Sequence, residues 1–226
     1  MTRPPQLAFD FGAPDRYDAD QFLAGDSNAG ALAWIARWPD WPGPALAIRG
    51  PEGAGKTHLV HIWAGRSDGT IVGGEDLDTA IVPDLAGRPV AVDDADRVAD
   101  PRALLHLYNL QRESAAHLLL TGRAPVQDWA RGLADLSSRL ATAPLVQIDA
   151  PDDALLAALV VRHAAARQVH ITPEAVRFLV ARIERTFDAA ARIVAALDRA
   201  SLGTGRRITV PLARALLEPD GADGES

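Results

Sequence analysis

The sequence predicts an α/β fold, a mostly parallel sheet built around a phosphate-binding loop and followed by a small all-α unit. Three observations carry this expectation. Gly50-Pro51-Glu52-Gly53-Ala54-Gly55-Lys56-Thr57 fits the template G-x-x-x-x-G-K-[ST] at every fixed position. Pro89-Val90-Ala91-Val92-Asp93-Asp94 is an apolar run ending on two carboxylates. Short apolar runs alternate with helical patterns as far as Ala150-Pro151, after which only helical periodicity remains.

Taken in order, Ala45-Leu46-Ala47-Ile48 lies between Pro44 and Gly50 and reads as a buried strand. Thr57 to Ala64 continues the glycine loop as a helix. Thr70-Ile71-Val72 reads as a short second strand and the run into Asp93 as a third. Pro101 to Glu113 is expected as a helix, with Asp100 as its N-cap and Pro101 at the first helical position. His117-Leu118-Leu119-Leu120-Thr121 and Leu145-Val146-Gln147-Ile148 complete the strands. Beyond Pro151, Asp152 or Asp153 caps a helix to about Gln168, and Thr172-Pro173 opens a second with Val176, Leu179, Val180 and Ile183 on one face. A third covers about Phe187 to Leu202, with Ala190, Ile193, Val194 and Leu197 on one stripe, and Pro211 opens a short fourth. These boundaries divide the chain into a tail over 1–18, an α/β base over 19–150, a helical lid over 151–217 and a disordered tail over 218–226. No internal repeat is visible.

Composition narrows the function classes. The 226 residues are 48 % apolar and 23 % charged, an ordinary globular balance. Thirty acidic against 23 basic residues give a net charge of −7, opposite to that of a protein that mainly grips phosphate backbone. There is no Cys, which excludes disulfides, thiolate metal sites and cysteine nucleophiles. The apolar stretch Ala154 to Val161 falls far short of the roughly 20 residues of a membrane span, and Met1-Thr2-Arg3-Pro4-Pro5-Gln6 has no apolar signal region. A cytoplasmic protein without a membrane partner is expected.

Of the 23 basic residues 22 are Arg, and the one Lys is Lys56. An ammonium is a compact point charge where guanidinium is a wide planar fork, so the position that keeps Lys has a use for the former. Between a strand and a helix, the glycines turn successive backbone N–H groups toward phosphates and the helix N-terminus adds positive potential. Lys56 then reaches the β- and γ-phosphates and the Thr57 hydroxyl ligates Mg²⁺. Asp93, at the end of a neighbouring strand, is the expected metal ligand, directly or through water. Asp94 is expected to orient or deprotonate an attacking water. The alternative for both is a strand end running into a polar turn, since Asp96 and Asp100 follow.

His58 and His61 share a helical face, but no third ligand follows at metal spacing, so His58 reads as supporting the phosphate loop or as packing. Trp34, Trp38 and Trp41 read as a helix end packed on the domain rather than a base-stacking platform.

An α/β phosphate-loop base followed by a helical lid resembles the AAA+ proteins, and local residues narrow the likeness to DnaA-related members. Phe22-Leu23-Ala24-Gly25-Asp26-Ser27-Asn28 is similar to the segment that cradles adenine there, which adds Phe22 to the binding residues Gly50 to His58 (Gly50, Pro51, Glu52, Gly53, Ala54, Gly55, Lys56, Thr57, His58). Gly-Lys-Thr-His-Leu at 55–59, Leu107-Tyr108-Asn109 and Leu120-Thr121-Gly122 look DnaA-like as well. Asp135-Leu136-Ser137-Ser138-Arg139-Leu140 resembles the segment carrying the arginine finger, and Leu197-Asp198-Arg199-Ala200-Ser201 sits where the family's lid helix ends. The resemblance runs from about residue 20 to 217.

It is strongest to the shorter Hda-type regulators of replication initiation, on two grounds. The sequence ends just past the lid, where an initiator carries a helix-turn-helix DNA-binding domain, so no sequence-specific DNA binding is expected. Gln6-Leu7-Ala8-Phe9-Asp10-Phe11 is similar to the peptide by which such regulators attach to the polymerase sliding clamp, with the Gln6 amide and the apolar anchors Leu7, Phe9 and Phe11 entering a groove. The resemblance implies ADP or ATP with Mg²⁺ as ligands, and DnaA and the sliding clamp as partners, a homodimer being compatible. It also implies that Arg139 acts on the γ-phosphate held by DnaA.

Three positions depart from the family pattern. Asp188 stands where the lid helix carries a sensor arginine, with Arg185 and Arg192 each about a turn away; Arg123 follows Thr121-Gly122 where an acid is usual; and Asp94 is shorter than the Glu of the most active AAA+ enzymes. These imply weak intrinsic hydrolysis, with the nucleotide as a structural ligand. The rival readings are a self-assembling AAA+ ATPase such as a helicase loader, and an adaptor whose phosphate loop serves folding only.

Overall fold

The computed structural model describes residues 22–201 and 207–218. Gln6, Leu7, Phe9 and Phe11 therefore lie outside the described residues.

Five parallel strands form the central sheet: β1 (Ala45–Arg49), β2 (Thr70–Gly73), β3 (Val90–Asp93), β4 (Leu118–Gly122) and β5 (Leu145–Gln147), in the order β2-β3-β4-β1-β5. Ala45 pairs with Leu118 and Ile48 with Val146, so β1 is flanked on both sides. From β1 the chain runs out to one edge at β2, and it later crosses β1 to reach β5 at the other. A crevice at the carboxyl ends of the strands beside β1 follows from that topology, as in other open parallel sheets.

Both faces of the sheet are covered, which explains why its strands read as continuous apolar runs rather than alternating ones. Successive side chains still point to opposite faces. Leu46, Ile48, Ala91 and Leu119 face one core, shared with α1 (Asp26–Arg37) and α2 (Lys56–Ser67). Ala45, Ala47, Val90, Val92, Leu118 and Leu120 face the other, shared with α3 (Pro101–Glu113), α4 (Val126–Trp129) and α5 (Ala134–Thr142).

Four helices follow the sheet: α6 (Asp153–Ala166), α7 (Pro173–Val180), α8 (Phe187–Ser201) and α9 (Val210–Leu217). Their starts have local causes. The Asp152 carboxylate accepts from Leu155 N at 2.7 Å, the Thr172 hydroxyl from Ala175 N at 3.2 Å and the Thr186 hydroxyl from Ala189 N at 3.1 Å, each satisfying an otherwise orphaned donor. Asp100 caps α3 in the same way, from Arg102 N at 2.9 Å. The helix from Thr172 is shorter than its apolar pattern predicts. It ends at Val180, and Ile183 packs on the core from the turn that follows. A short pairing of His170–Ile171 with Arg207–Ile208, β6 and β7, was not foreseen, because a two-residue ladder leaves no periodic signal.

The apolar faces of these helices do not form a separate core. Leu155, Leu156, Phe187, Ala190, Val194 and Leu197 belong to the same buried cluster as β1 and α2. The tryptophans pack as expected. Trp41 stacks on Trp63 with ring centres 5.6 Å apart, Trp38 meets Trp63 edge-on at 6.3 Å, and His117 lies edge-on to both Trp38 and Trp41. No helix among the described residues is long and apolar enough to cross a membrane.

Candidate functional site

The phosphate loop joins β1 to α2 through backbone that only glycine adopts cheaply. Gly53 (φ +72°) and Gly55 (φ +83°) are left-handed. A side chain would be crowded at both: a Cβ at Gly53 comes within 3.1 Å of Phe187 Cβ, and one at Gly55 within 2.9 Å of the Phe22 ring. Glycine thus serves the turn and also lets the start of α8 and the segment ahead of α1 close over the loop.

Lys56 is the first residue of α2 and is 6 % exposed. Its Nζ donates to the carbonyl oxygens of Gly50 at 3.0 Å and Pro51 at 2.8 Å. An ammonium has three N–H donors, so a third remains to be directed. Burial lowers the Lys56 pKa from its ordinary value; Asp94 opposes that shift, Arg123 adds to it, and Asp93 and Asp96 oppose it again. A desolvated cation beside backbone N–H groups at a helix N-terminus is an anion site.

The two carboxylates at the end of β3 have different environments. Asp93 is held from both sides, accepting from the Thr57 hydroxyl at 2.6 Å and from the Thr121 hydroxyl at 2.5 Å. The carboxylate and hydroxyl oxygens of Asp93 and Thr57 are hard donors of the kind Mg²⁺ takes. Asp94 adopts left-handed backbone (φ 56°), with its amide donating to Thr121 Oγ1 at 3.2 Å. Its carboxylate lies between two arginines, 3.8 Å from Arg97 and 3.9 Å from Arg123.

Lys56, Thr57, Asp94 and Arg123 open on a cavity of about 320 Å³. Its walls include Phe22, the loop from Glu52 to His58, Asp94 and Arg123 just beyond β3 and β4, and Leu155, Leu159, Arg162, His163 and Phe187 from the helices that follow. A charged floor, an aromatic rim and an apolar wall match the parts of a nucleotide (phosphates, base and ribose). Gly50 and Pro51 do not line it; their part is to accept from Lys56. His58 is 7 % exposed and meets the Phe22 ring edge-on at 5.3 Å. No cluster of three or more His, Asp or Glu with metal-binding geometry occurs among the described residues.

Of the wall residues, Asn28 lies in the segment from Phe22 to Asn28 that the sequence singled out, whereas those from α6 were not foreseen. Asn28 donates to Leu23 O at 2.8 Å and accepts from Gly25 N at 2.9 Å, fixing the Phe22–Leu23 segment against the rim. Leu155, Leu159, Arg162 and His163 project from one side of α6, at the i, i+4, i+7, i+8 spacing that a helix presents together. That spacing was visible in the sequence, but which core the face joins was not. Burial lowers the His163 pKa from its ordinary value, and Arg162 and Arg167 lower it further.

None of the three sensor candidates lines this cavity. Asp188 is ion-paired with Arg192, and Arg185 with Asp153 at 2.9 Å. Asp188 thus brings no uncompensated acid to the phosphate loop.

Arg139 lies at the opposite end of the sheet. It borders a separate depression with Pro42, Pro44, Ala45, Tyr108 and Arg112, beside the amino end of β1, whereas the phosphate loop leaves the carboxyl end. At about 3.3 Å per residue the strand alone separates the two ends by well over 10 Å. The Arg139 guanidinium lies over the Tyr108 ring at 5.9 Å, and its Nε has no hydrogen-bond partner among the described residues.

Comparison with known proteins agrees with this architecture. Residues 152–217 match the family model of the Hda lid domain. Over the whole fold the chain is similar to domain III of the replication initiation protein DnaA of Thermotoga maritima (TM-score 0.74, 17 % identity, 91 % of this chain and 97 % of that one). It is also similar to AMPPCP-bound DnaA of Aquifex aeolicus (TM-score 0.66, 16 % identity, 87 % and 70 %). The RuvB Holliday junction branch migration motor of Thermotoga maritima shares the fold as well (TM-score 0.67, 19 % identity, 90 % and 72 %). At these identities the structural matches establish the fold, and the lid match narrows it. The chain thus has the fold of DnaA domain III and RuvB, with residues 152–217 matching the Hda lid domain.

Proposed function

We propose that this chain is a nucleotide-binding regulator of DNA replication initiation that promotes hydrolysis of the ATP held by DnaA, acting while attached to the polymerase sliding clamp. The observation that carries the reading is the separation of Arg139 from the chain's own phosphate loop. A guanidinium so far from Lys56 cannot serve the nucleotide of its own subunit, yet it lies on a sequence segment like the finger segment of AAA+ proteins. Set against a triphosphate in a neighbouring DnaA, it supplies positive charge where negative charge develops in the transition state.

The chain's own site has a different task. The loop and Lys56 hold ADP or ATP, Thr57 and Asp93 hold Mg²⁺, and the apolar wall from α6 and α8 closes on the ligand. The metal, when bound, neutralises phosphate charge. Asp94 is the candidate base for intrinsic hydrolysis, but its two arginine neighbours compete for the carboxylate. Intrinsic turnover is accordingly weak, and the nucleotide acts chiefly as a structural ligand between sheet and helices. Attachment to the clamp belongs to Gln6, Leu7, Phe9 and Phe11, and the protein works in the cytoplasm.

The test mixes ATP-loaded DnaA with DNA-loaded clamp and the full chain, and follows ADP formation. Wild-type chain accelerates it; Arg139→Ala loses the acceleration but still binds the clamp; Gln6→Ala with Leu7→Ala loses clamp binding and acceleration together. ATP-driven self-assembly with rapid turnover in the absence of DnaA would replace this reading with that of an autonomous ATPase. Unchanged acceleration by Arg139→Ala would leave a non-catalytic adaptor.

A further inference from the structure

The depression at the amino end of the sheet holds a second guanidinium besides Arg139, which the function above does not use. Arg112 borders the same hollow of about 530 Å³, with Tyr108, Asp135, Ser138 and Thr142. Tyr108 and Arg112 are four positions apart on α3, so they share one face of that helix, and Arg139 comes to it from α5. The two arginines are held differently. Arg139 is half-buried, its guanidinium over the Tyr108 ring at 5.9 Å. Arg112 is exposed, and its side chain makes no hydrogen bond, ion pair or ring contact among the described residues. The rim hydroxyls are engaged elsewhere, Ser138 donating to Ala134 O at 3.0 Å and Thr142 to Arg139 O at 2.8 Å. Asp135, the acid that lines the hollow, pairs with neither arginine. Two unpaired cations on one hollow repel, and an anion set between them removes the repulsion.

We propose that Arg112 is a second cation for the triphosphate held by DnaA, capturing its phosphate chain while Arg139 acts on the terminal phosphate. The proposal rests on the reading of Arg139 as acting on a neighbour's nucleotide. A triphosphate spreads several negative charges along a chain, so it can engage two guanidiniums at once, where a lone carboxylate satisfies one. The division of work follows from how each arginine is held. A half-buried guanidinium packed on a ring is ordered beforehand and can favour the transition state. An exposed one is screened by water and ions and is ordered only on contact, so it adds a modest, salt-dependent increment to capture rather than to rate.

The test follows ADP formation by ATP-loaded DnaA on DNA-loaded clamp as the concentration of the full chain is raised. It compares wild type, Arg112→Gln, Arg112→Lys and Arg139→Ala at low and high salt, and measures the binding of each to ATP-loaded and to ADP-loaded DnaA. Arg112→Gln should raise the half-saturating concentration about twofold to fivefold and leave the saturating rate nearly unchanged. The shift should shrink at high salt, and Arg112→Lys, which keeps the charge, should restore most of the loss. Binding to ATP-loaded DnaA should weaken more than binding to ADP-loaded DnaA. An unmoved half-saturating concentration overturns the proposal, as does a loss that Arg112→Lys does not restore. Equal weakening toward both forms of DnaA also overturns it, because the anion is then a carboxylate of the partner's surface rather than the phosphate chain. Full stimulation by Arg139→Ala removes the reading on which the proposal rests, whereas its loss there together with indifference to Arg112→Gln removes only this proposal.

Discussion

At the carboxyl ends of the strands nearly every charged group near the phosphate loop is engaged: Lys56 with two carbonyls, Asp93 with two hydroxyls, Asp94 and Glu52 with arginines. At the amino end, beside Pro44 and Ala45, Arg139 lies over Tyr108 with its Nε unpartnered among the described residues. A self-sufficient hydrolase concentrates its catalytic charges around one reacting centre. Here one sheet holds a binding site at one end and a cation at the other, and the rigid strands between them fix their separation. Under the proposed function the carboxyl end holds a ligand and the amino end acts on a ligand held elsewhere.

The largest effect that can break this contrast is on hydrolysis in trans. Arg139→Ala should lower the stimulated rate of ATP-loaded DnaA by about 10³–10⁵-fold, read as ADP formed per unit time. Next is the other end. Lys56→Ala removes the ammonium and should weaken ADP binding on the order of 10²-fold, measured by calorimetry. Loss of acceleration in that variant, with Arg139 intact, would sharpen the comparison by showing that the ligand helps to aim the far end.

Gly53→Ala probes the junction between loop and helices. A left-handed alanine costs about 1–2 kcal/mol, and its Cβ meets Phe187 at 3.1 Å. A lower thermal midpoint together with weaker ADP binding is expected, whereas Thr172→Ala, which removes the α7 cap far from the loop, should cost about 1 kcal/mol with ADP affinity intact.

The smallest effect is on pH dependence. Burial lowers the pKa of His117 from its ordinary value, against a raising contribution from a hydrogen bond to the Pro39 backbone. Its folded pKa is thus below the unfolded one, and in that interval the unfolded chain binds more protons. Stability is therefore complete above about pH 6.5 and falls as pH drops below it toward the folded value. The loss of thermal midpoint between pH 7.5 and 5.5 should be smaller in His117→Phe than in wild type.

The two ends were not equally legible in the sequence. The phosphate loop and the β3 carboxylates are local in the chain, so Lys56, Thr57, Asp93 and Asp94 could be named in advance as candidates, and the fold brings them together. The strands were legible because burial on both faces makes them continuous apolar runs. The wall from α6 and α8 was not, because Leu155, Leu159, Arg162, His163 and Phe187 reach the loop only through tertiary packing. Nor was the engagement of Arg123 with Glu52, which are 71 positions apart. Arg139 was named from the likeness of its segment, and nothing in its immediate neighbours says which end of the sheet it occupies. Asp188 shows the converse: its position in the chain suggested an acid near phosphate, and a neighbour one turn away on α8, Arg192, neutralises it.

The most direct test of the division between the two ends is the affinity of Arg139→Ala for nucleotide, measured on the same preparation that has lost the power to stimulate DnaA. ADP and ATP dissociation constants equal to those of wild type are expected. A dissociation constant raised in step with the lost stimulation would contradict it, because Arg139 would then belong to this chain's own site.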